Sequence, residues 1–323
     1  MNHVSPAHDL FTLTPLSTTI GAEIGGIDLS RPLTQAVRDG LYQALLDWKV
    51  IFFRDQDISA EQHLAFAQNF GGLEIHPFAA GDETNPEILR IHHGEKAPGK
   101  ENVWHSDVTW RTAPSLGSVL RLRKVPIIGG DTLFADMAAA YRGLPPDIRE
   151  AVEGKTALHD FGYFRERLVK KGASEADLAE FDRQYPNPEH PVIRTHPDTG
   201  EQAIYVNRAF TRRILGVSEA ESTRLLEFLY AQAAYPEYQC RFRWTANAIA
   251  FWDNRACQHY AVSDYWPQER IAERVTIVGD EPFYRPNSEQ TPGIADQFQG
   301  GLRTYASGVG GPNDVMAVAR DKH

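Results

Sequence analysis

The stretch Val103-Trp104-His105-Ser106-Asp107-Val108-Thr109-Trp110 places an imidazole and a carboxylate two residues apart. On an extended strand, alternate side chains point the same way. His105 and Asp107 would then project from one face and grip one metal ion. A further imidazole, His259, lies far downstream in Trp252-Asp253-Asn254-Arg255-Ala256-Cys257-Gln258-His259-Tyr260. Two imidazoles and a carboxylate on one face of an octahedral ion leave three positions open. A second His-x-Asp triplet, His196-Pro197-Asp198, runs into Thr199-Gly200 between strand-like runs and reads as a hairpin turn. Taken alone, the His105 triplet reads equally well as a surface ion pair or a satisfied core histidine. The rest of the constellation decides between these readings.

A face of two His and one carboxylate is the arrangement used by non-haem Fe(II) oxygenases. Arg270 and Arg274 follow His259 and lead into the apolar run Val275-Thr276-Ile277-Val278. Arginines beside an apolar strand are poor core material unless paired. One reading gives them surface salt bridges to Asp264, Glu269 or Glu273. The other makes them two separate anion clamps, because a guanidinium fork grips carboxylate or sulfonate oxygens in bidentate fashion. Thr132 follows the Gly129-Gly130 turn, which would present a hydroxyl at a rim; an ordinary strand threonine fits there too. His76 precedes Pro77 on a loop, where an exposed histidine is equally natural. Trp104 is expected to pack beside the metal strand.

The elements that must position these groups follow from periodicity. Residues 10–17 and Val50-Ile51-Phe52-Phe53 read as strands, with short strands in the Gly-rich stretch between Ile20 and Leu29. Residues 35–48 carry Val37, Leu41, Ala44, Leu45 and Trp48 at helical spacing. Ser59 and Gln62 form a capping box for a second helix, which Gly71-Gly72 is expected to end. Glu87 to His92 alternates as a strand, and residues 93–102 form a polar loop into the metal motif. Residues 116–123 and 131–134 are strand-like. Residues 137–153 are helical with a break at Pro145-Pro146. Residues 163–184 are charged and helical, with a cap at Ser174. His190 to Asn207 is a hairpin, and Ser218 caps another helix. Strands return at 241–244, 248–252 and 275–278, which places His259 in or after the turn beyond the second of these. Short strands at both ends, helices between them and no regular βαβ alternation predict an α+β chain. The architecture expected is a double-stranded β-helix, or jelly-roll, barrel with flanking helices.

The 323 residues suffice for a large core, and a single domain is expected over residues 1–285. Residues 286–323 lack periodicity and read as an extension of unknown order. The formal charge of −10 argues against a nucleic-acid footprint, though not against a local basic pocket for an anionic substrate. No apolar run reaches membrane-spanning length, so no membrane partner is expected. Met1 to Pro6 lacks the basic and apolar regions of a secretory signal. Cys240 and Cys257 offer neither a disulfide framework nor a zinc pattern. A cytoplasmic protein is the expectation.

The sequence resembles the taurine dioxygenase family of Fe(II)- and 2-oxoglutarate-dependent oxygenases, which also includes alkylsulfatases and aryloxyalkanoate dioxygenases. The resemblance rests on Trp104 to Thr109, Gly129-Gly130-Asp131-Thr132-Leu133, Pro191 to Pro197, Trp252 to Arg255 with Gln258 to Ala261, Asp264-Tyr265, and Arg270 to Gly279. It runs from about Thr12 to Arg285. It implies that His105, Asp107 and His259 ligate iron, and that Thr132 and Arg270 hold the distal carboxylate of 2-oxoglutarate. It implies that Arg274, His76 and the Val108 N–H bind the substrate's anionic head, with Phe210 as an aromatic wall. Members are often dimers or tetramers, so a homo-oligomer is expected.

The implied reaction uses Fe(II), 2-oxoglutarate and O2 to hydroxylate the carbon next to an anionic head. An alkanesulfonate such as taurine would release sulfite and an aldehyde; an alkyl sulfate or an aryloxyalkanoate is the near alternative. Taurine-specific members carry a tyrosine where this chain has Ala79, and an asparagine where it has Glu101 or, with a one-residue shift, Asn102. Glu101 could meet an ammonium directly, so taurine stays open. Two other classes fit the triad: a metal-dependent module that binds a small anion without turnover, and a zinc hydrolase. A hydrolase has no use for Arg270 and Thr132 as a dicarboxylate clamp.

Overall fold

A computed structural model describes residues 10–76 and 84–286. Two short strands, β1 (Thr12–Pro15) and β2 (Ala22–Gly25), lead to helix α1 (Gln35–Trp48). Thr34 starts α1 by accepting from the Val37 N–H, and Leu41, Ala44, Leu45 and Trp48 form its buried stripe. All four residues of β3 (Val50–Phe53) are buried. Ser59 and Gln62 close a reciprocal capping box on α2 (Ala60–Gln68). This helix ends before the two glycines expected to stop it. The Asn69 amide bonds the carbonyls of Ala65 and Phe66 and terminates it first.

β4 (Ile88–His93) and β5 (Gly117–Lys124) flank the segment that carries His105 and Asp107. β6 (Thr132–Asp136) runs straight into α3 (Met137–Arg142), because the Asp136 carboxylate accepts from the Ala138 and Ala139 N–H groups. α4 (Pro146–Val152) follows the predicted proline break. The middle of the chain holds β7 (Thr156–His159), α5 (Gly162–Lys170), α6 (Glu175–Gln184), β8 (Glu189–Pro191), β9 (Ile193–Thr195), β10 (Gln202–Ile204), β11 (Thr211–Ile214) and α7 (Glu219–Gln232). β12 (Gln239–Phe242), β13 (Ile249–Asp253), β14 (Cys257–Ala261) and β15 (Arg270–Ile277) complete it.

The chain is α+β. Seven strands form one sheet in the order β1-β2-β3-β13-β5-β15-β4, antiparallel except where β2 meets β3. Three strands form a second sheet in the order β12-β6-β14. Strand alternation divides the large sheet into two faces. Ile51, Phe53, Val119, Phe251 and Val275 face α1 and α2 in one core. Val50, Phe52, Leu120, Trp252 and Ala272 face Phe134, Phe242 and Cys257 of the second sheet. A third core packs α3, α4 and α7 against β9 and β10. No helix of the described residues is long and apolar enough to cross a membrane.

Candidate active site

β14 carries His259 on the edge of the smaller sheet, and a single bridge attaches His105 to it. The His105 N–H donates to the His259 carbonyl at 3.1 Å, and the His259 N–H donates back at 2.8 Å. The two rings lie 4.2 Å apart. His259 lies after the turn that follows β13, one of the two positions expected; the strand there was not anticipated, and His259 is its central residue, opposite Phe134 of β6. The extended run through the metal motif is shorter than expected. Only His105 pairs, and residues 107–110 form a turn. Val108 in that turn has φ 49°, a left-handed conformation that is strained for a β-branched residue.

The turn brings Asp107 back onto the two imidazoles. Nε2 of His105 lies 3.8 Å from Asp107 Oδ1, and Nε2 of His259 lies 4.0 Å from it. One ligand atom from each of the three residues falls within 4.8 Å of the others. An ion about 2.1 Å from each donor requires neighbouring donors about 3 Å apart. These gaps therefore need to close by about 1 to 2 Å. The His105 ring is oriented from behind: its Nδ1–H donates to the Val103 carbonyl at 2.7 Å, which leaves Nε2 facing Asp107. Burial, with the charges of His105 and Arg274, pushes the His259 pKa down to about 3, so its ring is neutral near pH 7. Burial would raise the Asp107 carboxyl. Arg274, His259, His105 and a Ser118 hydroxyl outweigh burial and hold it well below the usual carboxylate range. Neutral imidazoles and an ionised carboxylate are the forms in which such side chains bind a divalent metal.

Both arginines stand on β15, four residues apart and hence on the same face, with Ala272 between them in the core shared by the two sheets. That spacing separates them by roughly 13 Å. Arg274 does not make the surface pair expected with Glu273. Its Nη1 lies 2.9 Å from Asp107 Oδ1. Arg270 is 5% exposed. Among the described residues it pairs with no acid: its Nε donates to the Gly130 carbonyl at 3.3 Å, and its guanidinium lies 6.0 Å from the Trp244 ring. Trp244 Nε1 in turn donates to the Thr132 hydroxyl at 2.9 Å. That hydroxyl keeps its own proton for an acceptor. Trp244 thus ties the Thr132 and Arg270 positions together; the sequence named both and missed their link.

The other expected residues converge on the Arg274 end. His76 is half-buried, and burial plus the charges of Arg274 and Arg111 push its pKa down to about 4. The Phe210 ring stands edge-on to His105, with centroids 6.4 Å apart. Phe210 and Val108 share an apolar cluster with Trp110, Phe161 and Phe181, which docks α5 and α6 beside the motif. Glu101 does not face this end. Its carboxylate lies 3.5 Å from His93 Nε2, and His93 Nδ1 lies 2.9 Å from the Tyr265 hydroxyl. Burial would raise the Glu101 pKa, yet its interactions with His93 hold it down to about 2. Ala79 lies outside the described residues.

Residues 12–276 match the family described as "Taurine catabolism dioxygenase TauD, TfdA family". The chain belongs to the TauD/TfdA family. A Pseudomonas putida relative named alpha-ketoglutarate-dependent sulfate ester dioxygenase is 38% identical over 274 residues, which span 83% of this chain and 89% of that relative. An Acinetobacter baylyi alkylsulfatase is 33% identical over 273 residues, 83% of this chain and 85% of its own length. The solved structure of a taurine dioxygenase from Burkholderia xenovorans matches with a TM-score of 0.73 at 35% identity, and the match covers 92% of this chain and 99% of that one. As a member of this family, the protein is a 2-oxoglutarate-dependent dioxygenase.

Two features of this TauD/TfdA chain were not legible beforehand. The first is the His196-Pro197-Asp198 turn, read above as an ordinary hairpin tip. The hairpin is there, but His196 is buried and its Nε2 lies 3.0 Å from Asp253 Oδ2. Arg255 binds both oxygens of Asp253 and reaches Asp198 at 2.7 Å. The turn is thus docked by buried charges onto the segment between β13 and β14. The second is Asn254, which lies in a quoted motif without an assigned role. Its side chain bonds the backbone of Asp107. Only the contact across 147 residues of sequence reveals it.

Proposed function

We propose that this chain uses Fe(II), 2-oxoglutarate and O2 to hydroxylate the carbon next to a sulfur-oxygen head group, a sulfate ester or sulfonate on an uncharged body. The observation that carries this reading is the placement of Arg274, whose guanidinium stands 2.9 Å from Asp107 and so beside the His105–Asp107–His259 triad. The donor set, two imidazoles and one carboxylate held ionised, fits a ferrous ion. The chemistry that ion supplies is oxidative decarboxylation of 2-oxoglutarate to succinate and CO2, coupled to insertion of one oxygen atom into a C–H bond.

The chain's own residues would supply placement. Arg270 is a buried cation in need of an anion, and with the Thr132 hydroxyl it suits the far carboxylate of 2-oxoglutarate. Arg274 and the neutral His76 would fix the anionic head, with the Val108 N–H as a further donor. Phe210 and Val108 would wall the organic body and exclude water. Holding the head fixes which C–H bond meets the ion. The hydroxylated carbon would then collapse to an aldehyde, with sulfate leaving from an ester or sulfite from a sulfonate. Glu101 faces His93, so no acid is offered to an ammonium group at that position, which disfavours taurine. The 38% identical relative named for sulfate esters supports the same choice.

The family match over residues 12–276 supports one dioxygenase unit over residues 1–285, with 286–323 as an extension. The two facing sheets support a double-stranded β-helix as their architecture. The test of substrate class is a product assay with alkyl sulfates, alkanesulfonates including taurine, and phenoxyalkanoates. Succinate matched one-to-one by sulfate or sulfite is expected, with taurine a poor sulfonate. Succinate matched only by a phenol would refute the head-group assignment.

A further inference from the structure

Asp107 is the least regular of the three triad residues. His105 and His259 are held by reciprocal backbone bonds at a sheet edge. Asp107 stands instead at the head of a turn, next to a valine with left-handed φ. Something other than a ladder must fix its backbone.

The side chain of Asn254 makes that connection. Its Oδ1 accepts from the Asp107 N–H at 2.6 Å, and its Nδ2 donates to the Asp107 carbonyl at 2.9 Å. One amide therefore grips both peptide groups of a single residue, which defines the direction of the Asp107 side chain. Nδ2 also reaches the Ser115 carbonyl and hydroxyl at 3.3 and 3.2 Å. Asn254 is fully buried.

Asn254 is itself anchored on both sides. Its N–H donates to the Leu116 carbonyl at 2.8 Å, beside the start of β5. The preceding Asp253 accepts from Arg255 and from His196, and its N–H donates to the Lys49 carbonyl at 2.8 Å. Arg255 continues to Asp198 and to the Tyr42 hydroxyl. A largely buried ion cluster thus adjoins Asn254 through the neighbouring Asp253 and Arg255. Groups that orient a metal ligand from behind commonly set affinity by about 10- to 100-fold.

We propose that Asn254 is the positioning residue of Asp107, holding its carboxylate in the ligand geometry and, through the same turn, aiming the Val108 N–H. This rests on the reading of the triad as a metal centre. The test is titration of the metal-free protein with Mn(II), followed by electron paramagnetic resonance, alongside circular dichroism and thermal unfolding. Asn254→Ala should weaken Mn(II) binding by about 10- to 100-fold while the circular dichroism stays native. Asn254→Asp keeps the Oδ1 acceptor but turns an oxygen toward the Asp107 and Ser115 carbonyls. It should also lose affinity, and it carries the test if the alanine variant does not fold. A folded variant of either kind that binds Mn(II) as the wild type does would overturn the proposal alone. Failure of the wild type to bind Mn(II) would overturn it together with the metal-centre reading.

Discussion

At the scale of single residues, the two arginines of β15 have different tasks because their surroundings differ. Arg274 stands among Asp107, His76 and Arg111, whereas Arg270 stands with Gly130, Trp244 and Thr132. Arg270→Ala should raise the KM for 2-oxoglutarate by about 10- to 100-fold, the range expected for a lost charge-assisted pair. Its effect on the organic substrate should be small. Arg274→Ala should do the reverse, and steady-state kinetics with each substrate varied in turn separates the two. The opposite pattern would exchange their roles. The chemical identity of these residues was legible in the sequence, because His-x-Asp and paired arginines are local patterns. Their partners were not. Surface salt bridges to Glu273 or Glu269 are the simplest reading of a linear string, and only the fold reveals that Arg274 meets Asp107 instead.

At the scale of elements, helices and buried strands were the legible part. α2, α6 and α7 start at the caps their serines announce. β14 was missed because Cys257–Ala261 is short and its pairing with β6 is non-local. The same reason hid the role of the 196–201 turn. One contact between elements gives a pH dependence. On α2, His63 is fully buried, and its Nε2 lies 3.1 Å from the Val119 carbonyl of β5. Burial pushes its pKa down from 6.5 to about 4. The unfolded chain therefore binds a proton between those values that the folded chain refuses. Stability is full above about pH 6.5 and falls as the pH drops toward 4, by on the order of 3 kcal/mol from this group. Urea unfolding of the metal-free protein at a series of pH values should show that fall. His63→Gln, which keeps an N–H donor for Val119, should make that fall shallower, the other buried histidines supplying the remainder; an unchanged slope would remove His63 as a source.

At the scale of the whole molecule, two sheets face each other across one core, and each contributes half of the site. The smaller sheet holds His259 and Thr132 and, by a single bridge, His105; the larger holds Arg270 and Arg274. Asp107 joins the halves from a turn that Asn254 fixes. The α+β class was legible because strand-like runs at both ends enclose helices without βαβ alternation. Which strands pair was not, since neighbours such as β5 and β13 lie far apart in sequence. The central claim is that the triad is a metal centre that turns over 2-oxoglutarate. Its most direct test is succinate formation under O2, with Fe(II) and a turned-over substrate, by the wild type and by His105→Ala, Asp107→Ala and His259→Ala. The account predicts succinate from the wild type that requires both Fe(II) and 2-oxoglutarate, and loss of it in each variant while circular dichroism stays native. Full Fe(II)-dependent succinate formation by any folded triad variant would contradict it.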